Sequence, residues 1–260
     1  MHTALTFTEK LSRGELVLGT GITFADPLVT EALCADVDFV WIDMEHNGMS
    51  IESVQNHVLA ARGTTATPLV RVPWNDPVRI KPVLDVGAAG VICPLVRTAE
   101  DVKLAVAACR YPPDGIRGFG PRVPTNYGRV GGPEYCQEAN KRVITIVQIE
   151  HTETVDNLDE ILAVPGLSAI VVGPNDLSGS LGHMANPGHP EVRSVIETIV
   201  DKACKAKVPV GIAMGDDFET LSGWFDKGVQ WFLIGTDFGH LVGGCQRINN
   251  AMRDHAKSTA

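Results

Sequence analysis

Chemically reactive side chains stand at the ends of several short apolar runs in this 260-residue chain. They include carboxylates, an imidazole, a guanidinium and an amide. If the apolar runs are neighbouring parallel strands, these groups meet at one edge of the sheet, which is where α/β enzymes carry out their chemistry. In chain order the groups are Asp43 and His46, then Arg71, then Gln148 and Glu150, and finally Asp176.

Two of the carboxylates, Glu150 and Asp176, follow consecutive apolar runs. No set of cysteines or histidines typical of a structural zinc site stands beside them in the sequence. Hard oxygen ligands of this kind suit Mg²⁺ or Mn²⁺. A solvated pair at the rim, or ion pairs with Arg71, would account for the same spacing, so this pattern leaves both interpretations open.

His46 and Arg71 are the candidates for proton transfer and for charge stabilisation. His46 has Asp43 three residues before it and Arg71 one apolar run further on, which favours a general acid/base role. Its neighbours Asn47 and Gly48 are equally typical of a plain surface turn. A guanidinium in the position of Arg71 either pairs with an acidic residue or holds an anionic substrate.

Eight apolar, β-branched runs alternate with helical patterns along the chain, which predicts alternating β and α units. Helix N-termini are indicated by Ser50, by Asp76 with Pro77, and by Thr98. The eightfold alternation lacks a dinucleotide fingerprint, so it favours a single (β/α)8 TIM barrel over residues 1–260 rather than a doubly wound sheet. The predicted strands are Leu16–Thr20, Asp38–Asp43, Leu69–Val72, Gly90–Pro94, Val143–Ile149, Ala169–Gly173, Pro209–Ala213 and Gln230–Gly235.

Composition and charge exclude several classes of partner. The 31 acidic residues outnumber the 22 Lys and Arg residues, and no basic run could neutralise a series of phosphates, so we expect no nucleic acid partner. The longest uncharged stretch, Ile161–Asn175, is too short for a membrane span. Neither a signal peptide pattern nor a CxxC pair is seen, which predicts a soluble cytoplasmic protein.

Other catalytic chemistries are disfavoured by the placement of their nucleophiles. A Schiff-base aldolase needs a lysine at a strand end, but the lysines from Lys81 to Lys227 lie in predicted helices, just after them or, for Lys141, before a strand. Ser178 or Ser180 with His183 is a loop grouping rather than a catalytic triad, since no GxSxG motif is present. The long connection after the fourth strand is rich in arginine, and it could bind a distal anion or form ion pairs between subunits. Its arginines are Arg110, Arg117, Arg122 and Arg129.

Five ordered motifs resemble those of the HpcH/HpaI family of class II pyruvate aldolases, which includes 4-hydroxy-2-oxoheptanedioate and 2-dehydro-3-deoxyglucarate aldolases. The resemblance extends from Leu16 to Gly239. It implies a TIM barrel of the phosphoenolpyruvate/pyruvate type in a homohexamer, a trimer of dimers, with the C-terminal helix exchanged with a neighbouring subunit. The motifs are WIDMEHN, VRVPWNDPVRIKPVLDVGAAGVICPLV, RYPPDGIRGFG, VQIE and VVGPNDLSGSLG.

The same resemblance implies a carbon–carbon lyase that reversibly cleaves 4-hydroxy-2-oxo acids to pyruvate and an aldehyde. It implies a divalent cation, Mg²⁺, Mn²⁺ or Co²⁺, on Glu150 and Asp176. His46 would be the acid/base, acting through a metal-bound water, and Arg71 would stabilise the enolate oxygen. The residues that it implies for binding the substrate carboxylate are Gln148 and the segment Gly173, Pro174, Asn175 and Asp176.

The resemblance also implies that Asp85 raises the basicity of His46. Because Asp85 ends a predicted helix, we expect it at the opposite end of its own barrel, so a neighbouring subunit would have to supply it. Asp43 is the local alternative. Two other functions remain open: an acyl-CoA lyase of the citrate lyase β type, and a non-catalytic barrel that binds a 2-oxo acid.

Overall fold

The computed structural model describes residues 3–259. In this range eight parallel strands close into a barrel in chain order, each paired with the next and the last with the first. The predicted TIM barrel is confirmed, and each predicted strand is present with ends shifted by at most two residues. The strands are β1 Val17–Ile22, β2 Phe39–Asp43, β3 Thr67–Arg71, β4 Gly90–Cys93, β5 Ile144–Ile149, β6 Ala169–Val172, β7 Val210–Met214 and β8 Trp231–Thr236.

Helices precede, connect and follow the strands and cover the outside of the barrel. Their bounds are α1 Thr3–Ser12, α2 Pro27–Leu33, α3 Ile51–Ala61, α4 Pro77–Asp85, α5 Ala99–Cys109, α6 Gly132–Arg142, α7 Thr152–Asp156, α8 Leu158–Leu162, α9 Pro174–Ser180, α10 Pro190–Ala206, α11 Phe218–Asp226 and α12 Asp237–Ser258. None of the helices in residues 3–259 combines the length and apolar character that crossing a membrane requires.

The predicted helix starts are confirmed by their capping contacts. The Ser50 hydroxyl accepts a hydrogen bond from the amide of Ser53, which begins α3. Asp76 accepts from the amide of Val78 at the start of α4. At α5, Thr98 and Asp101 form a reciprocal capping box. Each cap satisfies backbone donors that the first helical turn leaves without partners.

The two ends of the barrel lumen are built differently. At the amino end, helix α1 inserts Phe7, which is fully buried. Its ring packs edge-to-face against Phe39 of β2 and Trp231 of β8, with centroids 5.5 and 5.6 Å away. This aromatic cluster closes the amino end. The carboxyl ends of the strands carry the polar side chains, so the site must lie there.

Helix α12 leaves most of its length uncovered by its own chain. Asp237 is the only buried residue among its 22. Large apolar side chains recur on it at helical spacing, and all are at least half exposed. They are Phe238, Leu241, Val242, Ile248 and Met252.

We expect Gly90→Ala to destabilise the barrel by at least about 2 kcal/mol, because a methyl group at this position overpacks the lumen. The added carbon would meet the backbone carbonyl of Ile144 on β5, which cannot rotate away. Urea denaturation followed by circular dichroism measures the change. The matched control is Gly223→Ala in α11, where the new methyl group meets no atom within 4 Å. That variant should gain roughly 1 kcal/mol from helix propensity, and equal stabilities of the two variants would contradict this prediction.

Candidate active site

Arg71 lies at the mouth of the barrel, the opening at the carboxyl ends of the strands. Acidic residues at the end of the neighbouring strand hold it there. Asp43 and Arg71 are register partners at the ends of β2 and β3. The Arg71 Nε donates to Asp43 Oδ1 at 2.8 Å, and its Nη1 lies 3.0 Å from Glu45 Oε2. The guanidinium also lies over the Trp41 ring, 5.4 Å from its centroid. These contacts fix both the direction and the position of the positive charge.

Asp43 accepts several hydrogen bonds in this role. Besides Arg71, its carboxylate accepts hydrogen bonds from the Glu45 amide at 3.0 Å and from Asn47 Nδ2 at 2.6 Å. Burial by itself would raise the pKa of Asp43. The hydrogen bond and charge of Arg71, with the other donors, outweigh it and bring the pKa below its usual value. Asp43 is therefore an ionised group that positions Arg71.

Glu150 follows β5 and is nearly completely buried, with 3% of the residue exposed. Its Oε1 accepts a hydrogen bond from the Leu95 amide at 2.6 Å, and its Oε2 accepts from Gln148 Nε2. Gly173 allows this packing, because a Cβ there would lie 2.9 Å from Gln148 Nε2 and 3.2 Å from Glu150 Oε2. The buried carboxylate is thus held by two hydrogen bonds, one on each oxygen, and Gly173 leaves the space that it occupies.

The Leu95 backbone is strained in a way that serves Glu150. Leu95 has φ of 57°, in the left-handed region that residues with a Cβ rarely adopt. Strain of this kind is retained where the surrounding structure has a use for it. Here the conformation accompanies an amide that donates to Glu150. The sequence did not point to Leu95, because residue types alone do not specify backbone dihedral angles.

Glu45 is a second residue that sequence reasoning did not single out. Its side chain is only 11% exposed. Burial raises the pKa of Glu45; Arg71 opposes the rise, while Asp43 and Asp176 add to it. The available signal was its spacing, because residues two apart at a strand end point to the same face. Glu45 therefore joins the predicted acids at the mouth.

The mouth carries an excess of negative charge around a buried acid. Burial raises the pKa of Glu150 to about 7, the charges of Glu45 and Asp176 add to the rise, and the hydrogen bonds from Leu95 and Gln148 oppose it. A divalent cation between carboxylates would relieve this repulsion. The donor set offered by the acids contains oxygen alone and fits a hard cation such as Mg²⁺ or Mn²⁺.

The remaining predicted residues of the mouth differ in accessibility. His46 is exposed over 61% of its side chain, and its Nε2 lies 3.6 Å from Glu45 Oε2. Gly173 and Pro174 are buried at the start of α9, whereas Asn175 and Asp176 are exposed in its first turn. The exposed residues can meet a ligand that enters from solvent.

Asp85 lies apart from this group within the chain. It ends α4, the helix that runs from the carboxyl end of β3 back to the amino end of β4. Its carboxylate accepts a hydrogen bond from Arg117 Nη2 at 2.7 Å, and the Arg117 guanidinium lies over the Tyr111 ring. One chain therefore keeps Asp85 and His46 at opposite ends of the barrel. The role predicted for Asp85 stays a prediction.

Several side chains outside the mouth have structural contacts. Ser178 and Ser180 donate to the carbonyl groups of Asn175 and Leu177 within α9, so neither hydroxyl is paired with His183. In the arginine-rich connection, Arg110 donates to the Gly166 carbonyl at 3.0 Å. No lysine in the described range lies on a strand or at a strand end facing the mouth.

Comparisons with known proteins agree with this architecture. The profile of the family described as HpcH/HpaI aldolase/citrate lyase matches residues 23–243, and the chain belongs to this family. It is 35% identical to a 5-keto-4-deoxy-D-glucarate aldolase of Citrobacter koseri, over 95% of this chain and 96% of the relative. It is 37% identical to a hydroxypyruvate/pyruvate aldolase of Roseovarius nubinhibens, over 89% and 90%.

A solved structure is similar over nearly the whole chain. It is an HpcH/HpaI aldolase from Desulfitobacterium hafniense, with a TM-score of 0.89 and 30% identity, and it covers 94% of this chain and 95% of its own. The resemblance that the motifs carried is thereby confirmed for the family and for the fold.

We expect Glu150→Gln to stabilise the metal-free protein at about pH 8. The pKa of this carboxyl rises from 4.5 to about 7 on folding, so the native state binds the proton more tightly than the unfolded chain. Stability therefore falls as the pH rises between these values. The neutral amide removes the loss, which should amount to roughly 1–3 kcal/mol at about pH 8 and almost nothing near pH 4.

Thermal unfolding in chelator at the two pH values measures this difference. Glu160→Gln is the matched control, since Glu160 is exposed on α8 and the substitution removes the same charge. If both variants unfold like the natural protein at about pH 8, the charge excess around Glu150 is not destabilising and the prediction is wrong.

Proposed function

We propose that the protein is a divalent-metal-dependent aldolase that reversibly cleaves 4-hydroxy-2-oxo acids to pyruvate and an aldehyde. Membership of the HpcH/HpaI family and relatives named as aldolases support this reaction class. The observation that carries the proposal is Glu150, a buried carboxylate held in place beside Glu45 and Asp176. Residues 1–260 would form one catalytic domain.

Glu150 and Asp176 would hold the cation, Mg²⁺, Mn²⁺ or Co²⁺. When bound, it supplies a Lewis acid for the negative charge that cleavage of the C3–C4 bond leaves on the 2-oxo group. Arg71 adds a fixed positive charge to the same region. Because Asp43 and Glu45 hold the guanidinium in advance, little reorganisation is needed as the charge develops.

The substrate carboxylate would bind beside the cation residues. Gln148 lies at the bottom of the mouth, and its amide already donates to Glu150. The amides of Asn175 and Asp176 lie in the first turn of α9, where backbone N–H groups have no acceptor within the helix. These donors, with the chain at Gly173 and Pro174, would orient the 2-oxo acid. They would also keep the 2-oxo acid aligned with Arg71.

His46 would transfer the proton of the C4 hydroxyl. Its exposed imidazole stands at the rim, where an aldehyde must enter and leave. Asp43 already accepts three hydrogen bonds from other groups, two on Oδ1 and one on Oδ2, so a single acceptor position is left for a further partner. Within the chain Glu45 Oε2 lies 3.6 Å from His46 Nε2. As the family resemblance implies, we propose that Asp85 of a neighbouring subunit is the acid that orients His46.

That arrangement requires an oligomer. The exposed apolar residues of α12 support an exchange of this helix with a neighbouring subunit, since about half of each large side chain faces solvent in one chain. We propose a cytoplasmic homohexamer, a trimer of dimers. The two alternative functions have less support. An acyl-CoA lyase needs basic groups for the phosphates of CoA, but Arg110 and Arg117 already have partners within the chain. A non-catalytic binder would not catalyse exchange of the pyruvate methyl protons.

We expect chelation to abolish retro-aldol cleavage and added Mn²⁺, Co²⁺ or Mg²⁺ to restore it, because the mouth offers carboxylates that repel one another without a cation. Coupled detection of pyruvate over a series of 4-hydroxy-2-oxo acids measures the activity. Glu150→Gln should lose metal affinity together with turnover. Full activity in excess chelator would exclude the metal role.

We expect Arg71→Lys to lower kcat by roughly 100-fold, with a smaller change in KM, because a lysine cannot reproduce the fork that Asp43 and Glu45 hold. The same variant should slow the metal-dependent exchange of pyruvate methyl protons, which follows enolate formation without the aldehyde. Arg62→Lys, at the end of α3, is the control and should match the natural protein. An unchanged kcat in Arg71→Lys would contradict the assignment.

A further inference from the structure

A second group of metal-capable side chains lies outside the mouth, in the segment between α9 and α10. It consists of His183, His189 and Glu191. One ligand atom of each residue lies within 4.8 Å of the others, and across residues 3–259 no other three such residues come as close. The proposed function makes no use of this group.

The two imidazoles of this group are stacked on one another. Their ring centroids are 3.5 Å apart and the rings are inclined by 18°. Neutral imidazole is the form that binds metals. His183 Nε2 also lies 2.8 Å from Glu191 Oε2, which places a carboxylate at the same point.

The backbone orders these residues before any ligand binds. The His183 amide donates to the Ser178 carbonyl at 2.7 Å, and the His189 amide donates to the Asn186 carbonyl at 3.1 Å. His189 caps α10, with its Nδ1 accepting from the Glu191 amide at 3.3 Å. This bond sets the ring orientation and leaves Nε2 of His189 as the nitrogen available to a ligand.

Helix capping by itself does not explain the group. His151 caps α7 in the same manner, accepting from the Glu153 amide at 3.2 Å. That cap has the same His-x-Glu spacing, yet it is not among the groups whose ligand atoms converge. What distinguishes the second site is His183, which follows the end of α9 and is turned back onto His189.

We propose that His183, His189 and Glu191 bind a first-row transition metal such as Zn²⁺ or Co²⁺. Two imidazoles and a carboxylate suit these ions, whereas Mg²⁺ prefers oxygen ligands. Zinc–ligand bonds of about 2.0–2.1 Å require ligand atoms roughly 3.4 Å apart, with the ion near the plane of each imidazole. The two rings would therefore rotate out of their stacked arrangement when the ion binds. Water would complete the shell.

The bound ion would tie α9 to α10. His183 lies three residues beyond α9, whose first turn carries Asp176, and Glu191 lies in the first turn of α10. A cross-link between these helices restricts the segment 181–189 and stabilises the native state by mass action. The inference does not depend on the proposed reaction, because none of the three ligands belongs to the mouth.

The test uses the full chain with Glu150→Gln and Asp176→Asn, which remove the oxygen ligands proposed at the mouth. Titration with Co²⁺ should show about one bound ion per chain and a visible ligand-field band. Adding His183→Gln should weaken Co²⁺ binding at least tenfold and remove the band. His255→Gln, an exposed histidine on α12, is the matched control and should leave binding unchanged.

A second measurement leaves the residues of the mouth unchanged. In the natural chain saturated with Mg²⁺, Zn²⁺ should raise the melting temperature, and His183→Gln should abolish that rise while retaining Mg²⁺-supported turnover. The inference is overturned if the chain without the mouth ligands binds no Co²⁺, or if His183→Gln changes neither the Co²⁺ titration nor the Zn²⁺-dependent melting temperature. Neither result bears on the aldolase proposal, which Glu150→Gln tests separately.

Discussion

The burial of Glu150 among other carboxylates is the constraint around which the mouth of this barrel is built. Glu150 has little access to solvent and faces the charges of Glu45 and Asp176. Such a group is costly to keep ionised, and the cost is highest when no cation is present. The residues around it do not neutralise it: Leu95 and Gln148 orient it, and Arg71 is already shared by Asp43 and Glu45. Keeping Glu150 ionised in this surrounding therefore costs stability.

The closed amino end makes this arrangement possible. Phe7, Phe39 and Trp231 fill the lumen and exclude water from the lower half of the barrel. The rigid strands then present their last residues at fixed positions, which loops alone could not do. The same architecture separates Asp85 from His46. Helix α4 runs back toward the next strand, so its last residue, Asp85, lies at the amino end of the barrel. A site that used both residues would need Asp85 from a second subunit.

The eight strands, the helix caps and the family were predictable because they depend on local patterns. Apolar runs with turn signals locate strands, and a Thr or Asp before a helix satisfies amides only a few residues away. The strand ends were less predictable: β1 continues to Ile22 rather than Thr20, and β3 begins at Thr67. Hydrogen bonds to the neighbouring strands set these limits, and residues of any polarity can make them.

The sequence by itself predicted the alternation of strands and helices, the barrel and the acids that end the strands. Only the tertiary structure decided that the Leu95 amide is directed at Glu150 and that Asp43 and Glu45 together hold Arg71. The physical reason is distance along the chain. Periodicity records which face of an element is buried, whereas the charge environment of a carboxylate depends on groups that only barrel closure brings within a few ångströms.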